Sequence, residues 1–379
     1  MEEVFVLGYT AVVLVGGVGS RLRPLTLTRP KPLIPFAGKP LVEHIIAWLR
    51  NHGYTRFILT AKYLGEMIKK YYEGVNDVLV RVVNSKDTAD AVRLVSDLIG
   101  SEDILISMGD VVCNADFRSF MGFHKSHGGI ASIALKEVDN PLHYGVVIVD
   151  EDNRIKHFVE KPASIELYVL SLAFSRGIKF GKINLVNTGF YIVSPRVIDI
   201  IRKYPSLMDW GKHVFPYLIE QGYRVYGWIM GRYAYWEDLG RISNYVKALH
   251  DLLDGKIKGY KPAGREVSKG IYVGENAEIL GTINPPVYIG DNVFIDKDAV
   301  VGPYVSIEKG TRIEGKTRIS YSIIWEKTIV MKSSIIGSIL MDNVVVNEES
   351  KITSSIIGSN NVISSNIRLS EEIINPVAK

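Results

Sequence analysis

The sequence contains few of the residues from which covalent cross-links and metal clusters are made. Cys113 is the single cysteine among 379 residues, which excludes an internal disulfide and a metal site built on several cysteines. The eight histidines show no metal-ligand spacing, and none of them follows His250. No Ser/His or Cys/His constellation is evident, so we do not expect a protein nucleophile that is activated by such a base.

Long apolar stretches and strongly basic runs are also missing. Because no window reaches about 18 apolar residues, we expect no membrane-spanning helix. The formal net charge is only +4 and is not gathered in a run typical of nucleic-acid or membrane binding, so small anionic substrates are the expected partners. The N-terminus begins with acidic residues and lacks the charged region of a signal peptide, which predicts a cytoplasmic protein.

Residues 11–40 contain the densest pattern in the chain. Ala11 to Val15 is a short, β-branched apolar run that glycines end, so it predicts a buried strand. Gly16, Gly17 and Gly19 permit positive φ and close approach of a ligand, and successive N–H groups there can bind an anion. The cations that follow are Arg21, Arg23, Arg29 and Lys31. We therefore expect several cations beside a phosphate-binding turn, which suits a pyrophosphate leaving group.

A glycine-rich turn after a strand is weak evidence alone, because most such turns are ordinary tight turns, and this one lacks both the GxGxxG spacing and GK[ST]. The whole phrase GGxGxRLxPLTxxxPKPLxPxxxKP (16–40) nevertheless resembles the signature of the sugar-1-phosphate nucleotidyltransferases, which make NDP-sugars and pyrophosphate. The resemblance implies catalytic roles for Arg21 and Lys31. It implies nucleotide-binding roles for Leu14, Gly16, Gly17 and Gly19.

Helical and strand-like patterns alternate after this stretch. Apolar spacing predicts helices over 41–51, 64–72 and 89–98 and strands over 56–61, 78–83 and 104–110. Such alternation predicts an α/β fold with a Rossmann-like, mainly parallel sheet, in which ligands bind beyond the carboxyl ends of the strands. Gly16 and Asp110 both stand at such ends.

Two aspartates are candidate metal ligands. Asp110 ends a buried-looking strand, and Asp238 lies in the apolar-flanked sequence YWEDLG. Each alone is as readily a helix or turn cap, but two carboxylates beside phosphates suit Mg²⁺. The resemblance implies the same cofactor, since the GD and WxDxG motifs of the family hold a divalent ion.

The segment 144–162 has the pattern of a strand, a DEDN turn and a second strand, which predicts a hairpin ending at Glu160 and Lys161. An isolated EKP sequence is more often a solvated strand end. The resemblance implies instead that Glu160 and Lys161 bind the hydroxyls and phosphate of the sugar, and that Gly145 and Asn187 contact the sugar.

The chemistry that the resemblance implies needs no general base. A sugar phosphate is mostly ionised at neutral pH because its second pKa is about 6, so its oxygen can attack directly. The remaining tasks are alignment and neutralisation of phosphate charge.

One segment departs from the family pattern. Relatives usually have a sequence like PLGTAGAL in the base pocket, with Gln or Glu just upstream, whereas this chain has VVNSKDTADAV (82–92). Thr88 and Ala89 match, so Thr88 keeps an implied nucleotide-binding role, but Asp87 and Asp90 replace glycines. The change leaves open a different base, relaxed specificity or a subunit that no longer catalyses.

A six-residue repeat occupies the C-terminal part of the chain. It is formed by aliphatic residues at a constant interval: Ile289, Ile295, Val301, Ile307, Ile313 and Ile319. This period predicts hexapeptide coils of a parallel β-helix, and it resembles the left-handed β-helix appended to many nucleotidyltransferases. An acyltransferase, which also uses such coils, is disfavoured because such enzymes often use a catalytic histidine and none follows His250. We expect the coils to be a scaffold that assembles a homo-oligomer.

Together these patterns predict a catalytic domain over 1–255 and a β-helix over 265–379. The residues of the signature are most similar to those of mannose-1-phosphate guanylyltransferases, so we expect GTP and mannose 1-phosphate as substrates and Mg²⁺ as cofactor. Two alternatives remain, namely a glucose-1-phosphate thymidylyl- or uridylyltransferase and a non-catalytic regulatory subunit that binds an NDP-sugar.

Overall fold

The computed structural model describes residues 8–141, 144–160 and 184–378. Within these residues the chain forms two compact units, and neither is continuous in sequence. The described residues within Met1–Gly17 and Ile45–Trp236 form the first unit, and those within Val18–His44 and Glu237–Lys379 form the second. The boundaries expected near residues 255 and 265 stay a prediction.

The helices and strands that precede the β-helix are numbered in chain order. The α-helices are α1 (Leu41–Asn51), α2 (Gly65–Tyr71), α3 (Thr88–Arg93), α4 (Phe117–His127), α5 (Pro195–Lys203), α6 (Phe215–Glu220) and α7 (Ile242–Leu253). The strands are β1 (Tyr9–Val15), β2 (Pro35–Phe36), β3 (Lys39–Pro40), β4 (Tyr54–Ala61), β5 (Val78–Val82), β6 (Ile104–Met108), β7 (Val111–Cys113), β8 (Ala131–Glu137), β9 (Gly145–Val149), β10 (Ile155–Glu160), β11 (Leu185–Val193), β12 (Val225–Ile229) and β13 (Trp236–Asp238).

The first unit is built on one sheet with the strand order β10-β9-β11-β6-β1-β4-β5, to which β8 and β12 add beside β11. Strands β6, β1, β4 and β5 run parallel, and Val13 of β1 lies between Leu59 and Ser107. Val12 and Val13 are fully buried, as expected for a central parallel strand that is covered on both faces. A large core cluster joins the sheet to α3, α5 and α6.

The other part of the sheet is antiparallel. Strand β11 runs antiparallel to β6, β8 and β9, and β9 pairs with β10 in the hairpin expected from the sequence. The turn of this hairpin is closed by Asp150, which accepts hydrogen bonds from the backbone N–H groups of Asp152 and Arg154. A short turn can join only antiparallel strands, because a parallel pair needs a long crossover. The predicted fold class is confirmed, and the sheet is mixed rather than uniformly parallel.

Two predicted elements end earlier than expected. The helix expected over 89–98 stops at Arg93 as α3, and a short 3₁₀ turn follows at Ser96–Leu98. The strand expected over 104–110 ends at Met108. Asp110 consequently lies in the turn between β6 and β7.

The second unit contains three sheets whose strands alternate along the chain. The first face consists of Arg265–Ser268, Ile271–Val273, Val287–Ile289, Val305–Ile307, Ile323–Ile324, Ile339–Leu340, Ile356–Ile357 and Ile373–Ile374. The second consists of Glu278–Ile279, Phe294–Ile295, Arg312–Glu314, Ile329–Met331, Val345–Val346 and Val362–Ile363, and the third of Thr282–Ile283, Val300–Val301, Arg318–Ser320, Ser334–Ile336, Lys351–Thr353 and Arg368–Ser370. Apart from the first hairpin, neighbouring strands on each face are parallel, which is the β-helix that the repeat predicts.

The aliphatic residues of the repeat stack inside the β-helix. Ile289 lies beside Ile307, three hexapeptides further along the chain. Ile307 then lies beside Ile324 and Ile324 beside Leu340, so the later coils are one or two residues shorter. All four side chains are fully buried. The shorter coils explain why the six-residue period disappears from the sequence after Ile319 although the stack continues.

Shortening a stacked side chain should destabilise the β-helix. Ile313 is fully buried between Ile295 and Val330 of the neighbouring coils, so we expect Ile313→Ala to lower the free energy of unfolding by about 2–5 kcal/mol. The matched control is Ile373→Ala in the last coil, where the side chain is 60% exposed. Chemical denaturation of both variants measures the difference, and an equal loss at the two positions would contradict the assigned stack.

Candidate active site

Gly16 and Gly17, which lie in the first unit, follow directly after the carboxyl end of β1. A Cβ at Gly16 would approach the Cβ of Lys62 to 3.2 Å, whereas the Cβ position of Gly17 is open. The Lys62 ammonium donates to the carbonyl of Ser85 at 2.6 Å. This lysine was not singled out in the sequence, although its position directly after β4, the strand beside β1, is a usable signal.

Asp110 follows a close contact between neighbouring strand ends. The Gly109 N–H donates to the Leu14 carbonyl at 2.9 Å, and a Cβ at Gly109 would lie only 2.4 Å from Cγ1 of Val15. Leu14, Gly16 and Asp110 thus lie at the ends of the adjacent parallel strands β1 and β6. Their binding roles stay predictions.

The residues expected to contact the sugar lie on the antiparallel part of the sheet. Gly145 and Glu160 are direct partners across the β9–β10 hairpin, and a Cβ at Gly145 would come within 2.8 Å of the Glu160 carboxylate. Asn187 donates from its amide to the Tyr191 hydroxyl and accepts from the Gly189 N–H, both at 3.0 Å. Glycine at 145 therefore leaves space in front of the Glu160 carboxylate. Lys161 falls outside the described residues.

The segment that departs from the family pattern is held by its own side chains. Asp87 caps α3 by accepting from the Thr88 N–H at 2.9 Å. Asp90 accepts from the Lys86 N–H at 2.6 Å and forms an ion pair with Arg93. The two aspartates that replace glycines thus have structural partners.

The Thr88 hydroxyl also forms hydrogen bonds within the protein. It donates to the Asp209 carboxylate at 2.9 Å and accepts from the Trp210 N–H at 3.2 Å. Burial raises the pKa of Asp87, and the nearby Asp209 carboxylate adds to this effect. The side chain of Thr88 is therefore engaged in linking α3 to the segment around Trp210, and the nucleotide-binding role implied for it stays a prediction.

The second unit brings three predicted site residues together. The Lys31 ammonium lies 3.6 Å from the Asp238 carboxylate, and the lysine is only 5% exposed. A Cβ at Gly240 would lie 2.7 Å from the Arg21 guanidinium and 3.1 Å from both carboxylate oxygens of Asp238. Glycine at 240 thus leaves room for the close approach of these charged groups. The Asp238 carboxylate thus has the Lys31 ammonium and the Arg21 guanidinium as near neighbours.

The loop before Lys31 has a defined backbone. Gly19 has a φ of 64°, a left-handed conformation that favours glycine. The Thr26 hydroxyl donates to the Gly19 carbonyl at 2.9 Å, which closes the loop between them. Arg29 differs from the expectation that it would lie with the phosphate-binding cations, because its guanidinium is bound by acidic residues of the β-helix, Asp342 and Glu326.

A buried carboxyl group of the β-helix supports the same loop. Glu308 accepts from the Gly38 N–H at 3.3 Å and from the Ser306 hydroxyl at 3.0 Å. A Cβ at Gly38, whose φ is 90°, would collide with the Tyr288 hydroxyl. Burial raises the pKa of Glu308 to about 7. Sequence reasoning missed this residue because an isolated glutamate in a repeat gives no sign of being buried.

The donor set is compatible with a hard divalent cation. Asp110 and Asp238 offer carboxylate oxygens, which such cations prefer, and the Asp238 side chain is 40% exposed. In the described residues no group of three or more His, Cys, Asp and Glu side chains gathers around one point. Each of these carboxylates could supply a ligand to such an ion, and the metal-binding roles of Asp110 and Asp238 stay predictions.

Comparison with known proteins identifies the family. A family profile described as "Nucleotidyl transferase" matches residues 10–255. The chain belongs to this family. The match covers both the glycine-rich turn and the Asp238 cluster, and the resemblance noted in the sequence is confirmed. Enzymes of this family generally use a divalent metal.

Individual relatives extend the similarity of this nucleotidyl transferase over almost the whole chain. It is 32% identical to mannose-1-phosphate guanylyltransferase 1 of Arabidopsis thaliana, covering 96% of this chain and 99% of the relative. A probable mannose-1-phosphate guanylyltransferase 3 of Oryza sativa is 31% identical with the same coverage. A UTP–glucose-1-phosphate uridylyltransferase of Synechocystis is 31% identical over 82% of this chain and 83% of its own length. Among the described residues, no helix has both the length and the apolar character needed to span a membrane.

Titration of Glu308 should make the stability of this nucleotidyl transferase depend on pH. Because its pKa is raised from 4.5 to about 7 in the folded protein, the folded state binds the proton more tightly, and stability is lost as pH rises through this range. The loss corresponds to about 3 kcal/mol. We expect Glu308→Gln, which does not titrate, to gain about this much relative to wild type between pH 4.5 and pH 8.

Denaturant unfolding at several pH values measures this difference, with Glu349→Gln at an exposed β-helix position as the control. If the free energy of unfolding of Glu308→Gln changes with pH in parallel with that of wild type, Glu308 does not titrate in this range.

Proposed function

We propose that this enzyme makes GDP-mannose and pyrophosphate from GTP and mannose 1-phosphate in a single in-line displacement. The observation that supports it most is the cluster of Arg21, Lys31 and Asp238, because two fixed cations suit the charge of a leaving pyrophosphate. The two guanylyltransferase relatives, which cover nearly the whole chain, support the choice of substrates.

The residues of this chain bind and align rather than transfer protons. An ionised sugar phosphate needs no general base, so the proposal requires no serine or cysteine that is activated by a histidine. The Ser132 hydroxyl and the His124 ring, which are hydrogen-bonded at 2.8 Å, are both buried. The N–H groups of Gly16, Gly17 and Gly19 are proposed to bind the nucleotide phosphates. Arg21 and Lys31 then neutralise the negative charge that develops on the leaving group, at positions that are occupied before the substrate binds.

We propose Mg²⁺ as the divalent cofactor, with Asp110 and Asp238 as its carboxylate ligands. When bound, such an ion polarises a phosphoryl oxygen and lowers the cost of charge at the phosphate. The sugar is proposed to contact Gly145, Glu160, Lys161 and Asn187, where the glycine leaves room in front of the Glu160 carboxylate. A cytoplasmic location and a homo-oligomer formed through the β-helix remain part of the proposal.

A second candidate is the transfer of uridylate or thymidylate to glucose 1-phosphate. The Synechocystis relative favours the transfer of uridylate, since its name states that reaction and it is 31% identical to this chain. The altered 82–92 segment is implied by the resemblance to belong to the base pocket, so a change there bears on the choice of base.

Pyrophosphate release in the presence of Mg²⁺ tests the function. The assay combines four NTPs with the 1-phosphates of mannose, glucose and N-acetylglucosamine. We expect the highest kcat/KM for GTP with mannose 1-phosphate. A preference for UTP or dTTP with glucose 1-phosphate would replace this assignment by the second candidate, and silence of a folded protein that still binds GDP-mannose would indicate a regulatory subunit.

Removal of one carboxylate tests the metal site. We expect Asp110→Asn to lower Mg²⁺-dependent kcat roughly 100-fold or more, because charge neutralisation by such an ion contributes several kcal/mol, while the melting temperature stays near that of wild type. Asp152→Asn, in the exposed hairpin turn, is the matched control. Full activity of the Asp110 variant would remove this residue from the site.

A further inference from the structure

The guanidinium of Arg29 is enclosed by residues of the β-helix. Nη2 lies 3.1 Å from both carboxylate oxygens of Asp342, and Nη1 lies 3.5 Å from the Glu326 carboxylate. The guanidinium also lies over the ring of Trp325, 5.3 Å from its centroid, and donates to the Leu33 carbonyl at 3.4 Å. Both Nη atoms of Arg29 are thus engaged in contacts with β-helix carboxylates.

The two acidic residues occupy equivalent places in successive coils. Ile324 pairs with Leu340 on the first face, and Glu326 and Asp342 each follow these residues by two positions. The Asn343 N–H accordingly donates to the Glu326 carbonyl across the coils at 3.0 Å. Two carboxylates stacked in this way repel each other unless a cation neutralises them. Burial raises the pKa of Asp342, and the Arg29 guanidinium acts against this rise.

A pair buried to this degree is sensitive to the loss of either partner. The side chains of Arg29 and Asp342 are 18% and 16% exposed, so removal of one leaves an uncompensated charge in a largely desolvated place. The ring of Trp325, itself fully buried, adds a face on which the planar guanidinium can stack.

The contact between Arg29 and the β-helix is joined to Lys31 by a short, stiff segment of backbone. Only Pro30 separates Arg29 from Lys31, and proline has a fixed φ. A 3₁₀ turn continues the segment, with the Leu33 N–H bonded to the Pro30 carbonyl and the Ile34 N–H bonded to that of Lys31. Gly38, beyond this turn, is bound by Glu308 of the β-helix. The β-helix therefore holds the segment on both sides of Lys31.

We propose that Arg29, held by the β-helix residues Trp325, Glu326 and Asp342, is a positioning residue that sets the place of the Lys31 ammonium for the transfer reaction. The β-helix is then a functional part of the phosphate-binding apparatus in addition to a scaffold. This inference rests on the proposed function insofar as Lys31 acts on the nucleotide phosphates.

The kinetic test uses Asp342→Asn. We expect kcat/KM for the NTP to fall roughly 10- to 100-fold, because small displacements of a positioned group have effects of this size, while KM for the sugar phosphate changes less than about twofold. The control is Glu348→Gln, which removes an exposed ion pair with Lys332 elsewhere on the β-helix and should leave both constants unchanged. Unchanged NTP kinetics in folded Asp342→Asn, or an equal rise of both KM values, would overturn the proposal.

A double-mutant cycle tests whether the two residues act through one contact. Arg29→Met alone and together with Asp342→Asn should give nearly the same loss of kcat/KM, since residues that share an interaction are not additive. Additive losses would contradict it. Arg29→Lys keeps the positive charge but loses the forked N–H donors of the guanidinium, so it should retain more activity than Arg29→Met. If Arg29→Met does not fold, Arg29→Lys takes its place in the cycle.

Hydrogen exchange separates this inference from the proposed function. In Asp342→Asn, but not in Glu348→Gln, we expect faster exchange of the Leu33 and Ile34 amides, whose bonds define the turn at Lys31. This readout does not require turnover. If wild type is inactive with every substrate pair, the proposed function fails, while unchanged exchange of these amides would refute the positioning contact by itself.

Discussion

The enclosed charge of Lys31 is the constraint on which the second unit depends. Burying an ammonium group is costly unless an opposite charge and polar partners compensate for lost water. Asp238 provides the opposite charge, and the Tyr245 hydroxyl fixes the nearby backbone by donating to the Pro35 carbonyl at 2.6 Å. The cation is consequently in place before any ligand arrives. A reaction whose main requirement is charge neutralisation benefits from such preorganisation, because little reorganisation remains to be done in the transition state.

The β-helix is well suited to hold this loop because its interior is fixed by repetition. Each aliphatic side chain packs on its equivalent in the next coil, so positions just outside the stack are repeated with little freedom. Glu308 lies at such a position one residue after the stacked Ile307, and Glu326 and Asp342 lie two residues after the stacked Ile324 and Leu340. Side chains that project from a rigid stack can bind a loop with defined geometry, whereas the same side chains on a mobile surface would not.

Much of the fold could be predicted from the sequence because it depends on local pattern. Apolar spacing and turn residues predict the strand that ends at Val15, helix α1 over Leu41–Asn51 and the hairpin that ends at Glu160. The structure contains all three. The repeat revealed the β-helix for the same reason. What could not be predicted depends on contacts between distant positions, such as Arg29 with Asp342, which are 313 residues apart. In the sequence, Arg29 is one of several basic residues near a glycine-rich turn. Its contact with an acidic residue of the β-helix is seen only in the folded structure.

The division of the chain into compact units follows from these distant contacts. The family profile ends at residue 255, and sequence pattern placed a boundary at nearly the same point. The segment Val18–His44 nevertheless belongs to the unit that contains the β-helix, because Arg29, Gly38 and Pro35 all find their partners there. A cation in a loop is held only as firmly as the groups that bind the loop. The residues that determine the geometry of Lys31 therefore include positions 308, 326 and 342, which lie outside the part of the chain that the family profile matches.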